Sequence, residues 1–235
     1  MFDYENIWKD SWGDMQKYGP VHRHHRRIFS NLFAQLPKEE ITSIADIGCG
    51  EGSNLFFIRS QFPKAELFGF DISNTAIESA RANTDAEISL LNIQKEAPQR
   101  KFDLTFCSDV VEHLEDDLAA MRNIKSATNK YAVVATVQGR MRTNEDTIGH
   151  VRNYEYGELA DKLASVGFNI LKVVEWGYPF YSPLFRNGLE LFPASAKFSY
   201  GKYGVRQKIM SHLLYILFSL NSSKRGDVVF VLAKP

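Results

Sequence analysis

From residue 41 onward the chain alternates short β-rich runs with helical stretches, and this rhythm constrains the fold more than any other feature. Runs rich in β-branched and aromatic residues fall at 41–47, 65–70, 86–91, 102–107, 131–137, 168–176 and 227–233. Between them, stretches at 53–62, 74–83, 116–128 and 156–166 read as helices. Such alternation predicts βαβ units, whose right-handed crossovers build an open sheet covered on both faces. A further helix over 21–36 precedes the first strand, with Val21, Ile28, Phe29, Leu32, Phe33 and Leu36 on one face. Two segments interrupt the rhythm: a polar loop at 138–153, longer than ordinary connections, and an aromatic-rich insertion at 179–226. The expected organisation is a helical lid over 1–40 and one α/β domain over 41–235, with the insertion on its substrate side.

Composition removes several function classes. Twenty-eight basic residues balance 28 acidic ones in a chain of 235, so the net charge is zero, unlike a dedicated nucleic-acid binder. Two cysteines, Cys49 and Cys107, cannot build a disulfide framework and suggest a reducing, cytoplasmic setting. The opening MFDYENIWKDSW lacks the basic-then-apolar layout of a signal peptide. No apolar run reaches the roughly 18 residues that cross a bilayer. Peripheral membrane contact and oligomeric state are left open.

The chemistry begins at IADIGCGEGSN, where a β-run ends near Asp46 and three alternating glycines, Gly48, Gly50 and Gly52, lead into a helix. Glycine allows a tight turn and lets a ligand approach the backbone. N–H groups of the turn and the helix start favour an anionic group there. The spacing is G-x-G-x-G rather than the G-x-G-x-x-G of dinucleotide folds, which disfavours a nicotinamide oxidoreductase. The second strand ends in LFGFDIS, placing Asp71 where an acid can take both hydroxyls of a ribose. The third ends in LLNI, so that Asn92 and Ile93 could hold an adenine by its edge and face.

These motifs, with FDLTFCSDVVEHLEDD and GHVRNYEYGELADKLASVGF, resemble those of the class I S-adenosylmethionine-dependent methyltransferases. The likeness spans roughly residues 41–176 and the final strand, and is nearest the branch acting on small molecules, natural products, quinones and glycan precursors. It implies a Rossmann-like, mostly parallel seven-stranded sheet with the last strand antiparallel. It implies S-adenosylmethionine as cofactor, S-adenosylhomocysteine as product, and cofactor contacts from Asp46, Gly48, Gly50, Asn54, Asp71, Ile72, Asn92, Ile93, Ser108, Asp109 and Val110. Asn92 stands where many members carry Asp.

Methyl transfer from a sulfonium is an in-line displacement, so the protein positions the nucleophile and removes a proton where needed. Candidates follow the fourth and fifth strands. His150, after the fifth strand, is the expected general base, and His113, after the fourth, is a second candidate. Glu112 is expected to cap and brace the next helix. Arg152 and Arg186 are expected to hold an anionic acceptor, and Tyr178 and Tyr181 to wall the pocket. The run His22–Arg27 is either part of a lid over the cofactor or a solvated basic face. No metal site is expected, because His24 and His25 are adjacent and no H-x-x-x-H pair has an acidic partner. The segment 210–220 is expected to pack as core. The expected activity is O-methylation of a small molecule or glycan precursor; N-methylation and a non-catalytic scaffold are the alternatives.

Overall fold

The computed structural model describes residues 13–146, 148–191 and 202–235, so the first part of the expected lid and residues 192–201 of the insertion lie outside the described residues. Helices α1 (Gly13–Tyr18) and α2 (Pro20–Phe33) precede β1 (Ser43–Ile47), α3 (Ser53–Gln61), β2 (Glu66–Asp71), α4 (Asn74–Asn83) and β3 (Glu87–Leu90). Then follow β4 (Phe102–Ser108), α5 (Asp117–Ala127), β5 (Thr128–Val137), the short α6 (Thr143–Asp146), α7 (Glu158–Ser165) and β6 (Asn169–Trp176). After α8 (Arg186–Leu191) and α9 (Val205–Phe218), the chain closes on β7 (Val228–Lys234).

The seven strands form one sheet in the order β3-β2-β1-β4-β5-β7-β6. Strands β1 to β5 run parallel, and β7 enters antiparallel between β5 and β6, as expected from the sequence. Every residue of β1 is buried, because helices cover both faces of the central strands. Alternation along β7 divides its side chains between two cores. Val228, Phe230 and Leu232 join Phe29, Phe33, Leu55 and Phe106 on one face. Val229 and Val231 join Met121, Ile124, Leu159 and Leu163 on the other. Local capping fixes the helix starts that matter for the site. Ser73 accepts a hydrogen bond from the N–H of Ala76 at the head of α4, and Asp116 accepts from that of Ala119 at the head of α5.

Of the two readings left open for His22–Arg27, the solvated face does not describe its buried histidines, and the expectation for 210–220 is corrected. Helix α2 does not present its histidines to solvent: His24 and His25 are buried. His24 is stacked between Trp176 and Tyr215, at ring separations of 5.0 and 4.4 Å, and its Nε2 is bonded to the carbonyl of Tyr215. Burial pushes the pKa of His24 down to about 4 and that of His25 down to about 3, so both are neutral near pH 7. Helix α9, which covers most of the segment expected as core, buries only one side: Ile209, Met210, Leu213, Ile216 and Leu217 are exposed. A helix apolar all round reads as fully buried from sequence, whereas this one turns one apolar face inward and another outward.

Candidate active site

In an open parallel sheet, ligands bind beyond the carboxyl ends of the strands where the strand order reverses. Here that point lies between β1 and β4, and a cavity of about 1080 Å³ opens there. Its volume exceeds the upper end of ordinary single-ligand pockets, which leaves room for a cofactor and an acceptor together.

The turn after β1 forms one side. Gly48, Gly50 and Gly52 all have positive φ, at 76°, 54° and 90°. A Cβ on Gly48 would lie 2.2 Å from Cγ2 of Val110, so only glycine lets the loop after β4 close against the turn. The N–H of Gly50 donates to Oδ2 of Asp71 at 2.9 Å, and that of Ser73 donates to Oδ1 at 2.9 Å. Asp71 therefore ties the tip of β2 to both the turn and the head of α4. Asn54, Ile72, Asn92, Ile93, Ser108, Asp109 and Val110 line the same cavity. Asp109 adopts φ 57°, a left-handed conformation that a non-glycine residue holds at a cost of about 1–3 kcal/mol and that clusters at functional sites. Asp46 departs from the expectation: it is wholly buried under the turn and does not line the cavity. Burial, reinforced by Asp71, pushes its carboxyl up to about 8.

The other end is built from the loops after β4 and β5. His113 is held through Nδ1, which lies 3.0 Å from the carbonyl oxygen of Gly149, and His150 through Nδ1, which lies 3.4 Å from Oδ1 of Asn153. Each partner is an acceptor, so Nδ1 carries the proton and Nε2 the lone pair. The rings meet edge to face at 4.7 Å. Burial lowers both imidazoles, that of His113 to about 4. Glu112 does not cap α5. Its Oε2 accepts from the hydroxyl of Thr136 at 2.7 Å, and its carbonyl accepts from the N–H groups of Val151 and Arg152. Glu112 thus braces the His150 loop against β5, and burial pushes its own carboxyl up to about 8.

Glu112, His113 and His150 also offer one donor atom each within 4.8 Å of one another, a carboxylate and two imidazoles that suit a divalent cation. Sequence spacing gave no hint of this set, because the fold brings its members together from two loops.

Of the expected acceptor contacts, Tyr181 and Arg186 line the cavity and Arg152 and Tyr178 do not. Arg152 donates to the carbonyls of Leu114 and Glu115 and pairs with Asp117 at 3.3 Å, so it clamps the loop after β4 instead of a ligand. Tyr178 is turned outward beneath the guanidinium of Arg225, 4.3 Å from its ring centre. Tyr181 stacks on Trp176 at 5.2 Å, and burial pushes its phenol up to about 12. Arg186 is only 4% exposed and is already paired, with Glu145 and with Asp227, the latter at 2.8 Å.

His25 and Arg26, from the run read as a possible lid, line the cavity, and residues missed by sequence reasoning complete it: Phe29 of α2, Arg206, Met210 and Leu214 of α9, and Glu145 after β5. Asp227 stands behind, receiving Arg142, Arg186, Ser182 and Tyr156. No local spacing could have paired Glu145 and Asp227 through Arg186.

Known proteins match this arrangement at several levels. Residues 45–134 fit the family model described as a methyltransferase domain. The trans-aconitate 2-methyltransferase of Escherichia coli is 30% identical over 105 residues, covering 44% of this chain and 42% of that protein. That of Afipia carboxidovorans is 27% identical over 130 residues, covering 55% and 50%. The chain thus spans about half the length, or less, of these curated relatives. Among solved structures, one from the complex between a Haloferax volcanii methyltransferase activator and a candidate methyltransferase aligns at TM-score 0.66 and 15% identity, covering 100% of this chain and 98% of that one. Magnesium protoporphyrin IX methyltransferase from Synechocystis with bound S-adenosylhomocysteine aligns at TM-score 0.57 and 14% identity, covering 92% and 85%. The glycine turn and its neighbouring strands thus lie within a match to a methyltransferase domain, and the chain shares its fold with these solved structures.

Proposed function

We propose that the protein transfers a methyl group from S-adenosylmethionine to a hydroxyl oxygen of a small molecule. The observation that carries this reading is the single cavity that joins the glycine turn and Asp71 at one end to the paired imidazoles of His113 and His150 at the other. The residues fit the cofactor. The turn has no Cβ to obstruct a ligand at Gly48 and Gly50, Asp71 stands at the strand tip suited to a ribose, and Asn92 and Ile93 flank a place for an adenine. When bound, the cofactor would supply an electrophilic methyl group.

The chain's own residues do the rest. A hydroxyl nucleophile must lose its proton during attack, and His150, neutral and anchored through Nδ1, offers Nε2 as the acceptor. Helix α2 roofs the cavity with His25 and Phe29 and restricts water. The acceptor is uncharged near its reacting group in this reading, because Asp109, Glu112 and Glu145 line that end and Arg186 is already neutralised. Tyr181, Phe185 and Leu214 suit an apolar portion. These features argue against carrying over the tricarboxylate in the names of the curated relatives, and a glycan precursor would fit best through an apolar carrier.

The test is transfer of a labelled methyl group from S-adenosylmethionine to matched hydroxyl and amine acceptors bearing apolar groups. Label on the hydroxyl acceptors supports the reading. Label on amines alone would redirect it to N-methylation, and cofactor binding without transfer to any acceptor would favour a scaffold.

A further inference from the structure

We propose that the outward face of α9 docks on an anionic lipid bilayer, which places the acceptor end of the cavity against the membrane surface. Val205, Ile209, Leu213 and Ile216 follow one another at intervals of three or four residues and so form one stripe along the helix, which Leu220 continues in the turn just after it. All five are more than half exposed, from 53% for Ile216 to 76% for Val205. An exposed apolar row of this length is unusual on a soluble surface and marks a contact.

Charge identifies the occupant. Residues 191–226 contain six Lys and Arg and no Asp or Glu, in a chain whose total charge is zero. Of these, Lys202, Arg206 and Lys208 lie at the start of α9, and Lys224 and Arg225 lie just beyond its end; all five are exposed. Helix α2, which packs against α9, adds Arg23, Arg26 and Arg27 and no acid. On α1, Asp14 accepts from the N–H of Tyr203. Apposing two copies of such a face would set like charges together with no carboxylate on α9 to pair them. Basic residues flanking an apolar stripe instead match an interfacial helix on anionic lipid. At 14 residues α9 is too short to cross the bilayer, so it would lie in the interface plane.

The same helix forms a wall of the cavity through Arg206, Gln207, Met210 and Leu214. Docking on its outer side brings that wall to the headgroup boundary, where an amphiphilic acceptor can pass from lipid into the cavity. The docking itself does not depend on the proposed methyl transfer.

Cosedimentation of the full chain with vesicles tests it. Phosphatidylcholine vesicles containing phosphatidylglycerol should retain the protein, and pure phosphatidylcholine vesicles should not. Both Leu213→Glu with Ile216→Glu and Lys202→Gln with Lys208→Gln and Lys224→Gln should reduce retention at least about tenfold. These positions are exposed, and circular dichroism with S-adenosylhomocysteine binding verifies that each variant is folded. Absence of retention on anionic vesicles would overturn the proposal. So would retention that the variants leave unchanged, or a dimer in solution that Leu213→Glu with Ile216→Glu dissolves.

Discussion

Replacing His150 by alanine should lower turnover by about 10²–10⁴-fold while leaving cofactor affinity nearly unchanged, the range typical of losing a positioned general base. The expectation follows from the geometry of the loop after β5. The N–H of His150 donates to the carbonyl of Glu145, and the carbonyl of Glu112 takes the N–H of the following residue, Val151. The imidazole is thus fixed on both sides along the backbone and through Asn153 at the ring. His113 presses its ring edge to face against it but is anchored elsewhere, on Gly149. His113→Ala should therefore cost less than His150→Ala. Steady-state kinetics on a hydroxyl acceptor, with calorimetry for the cofactor, separates the two effects. Full activity in His150→Ala would reject the base role and make nitrogen methylation the better account.

A second large effect is structural. Asp227→Ala should destabilise the fold by about 3–5 kcal/mol, the cost of removing one partner from a buried ion pair. Arg142 and Arg186 both donate to its Oδ2, at 3.2 and 2.8 Å, and both are less than 5% exposed. Ser182 and Tyr156 also donate to the same carboxylate. Burial alone would raise its pKa, but these hydroxyls and the two guanidiniums outweigh burial and hold it below the usual carboxylate range. A depressed native pKa means that the contribution is complete above the unfolded value near ~3.9 and is lost as pH falls through the native one. Urea titration at neutral pH measures the difference. A loss below about 1 kcal/mol would mean that Glu145 and solvent suffice for both arginines.

The alternation of strands and helices and the glycine turn were legible because both are written locally. Alternating apolar runs specify strands and helices, and a tight turn at a strand end leaves few residue choices beyond glycine. Asp71, Asn92 and Asp109 were legible for the same reason, since each follows directly from the end of a strand. The acceptor side was less so. Arg152 and Arg186 carry the same side chain, and only the fold reveals that the first is spent on carbonyls after β4 and the second on Glu145 and Asp227. The grouping of Glu112, His113 and His150 depends on two loops meeting, and the burial of His24 depends on Trp176 and Tyr215 arriving from distant strands and helices. Helix α9 misled for a different reason: periodicity reports that a face is apolar, not what covers it.

The central claim is that S-adenosylmethionine sits across the carboxyl ends of the strands with Asp71 at its ribose. Calorimetric titration of S-adenosylhomocysteine into the wild-type chain and into Asp71→Ala tests this most directly. Losing a bidentate contact to a charged group costs about 1.5–3 kcal/mol. The account predicts binding to the wild-type chain and an affinity weaker by roughly tenfold or more in the variant. No measurable binding to the wild-type chain, or equal affinity in the two, would contradict it.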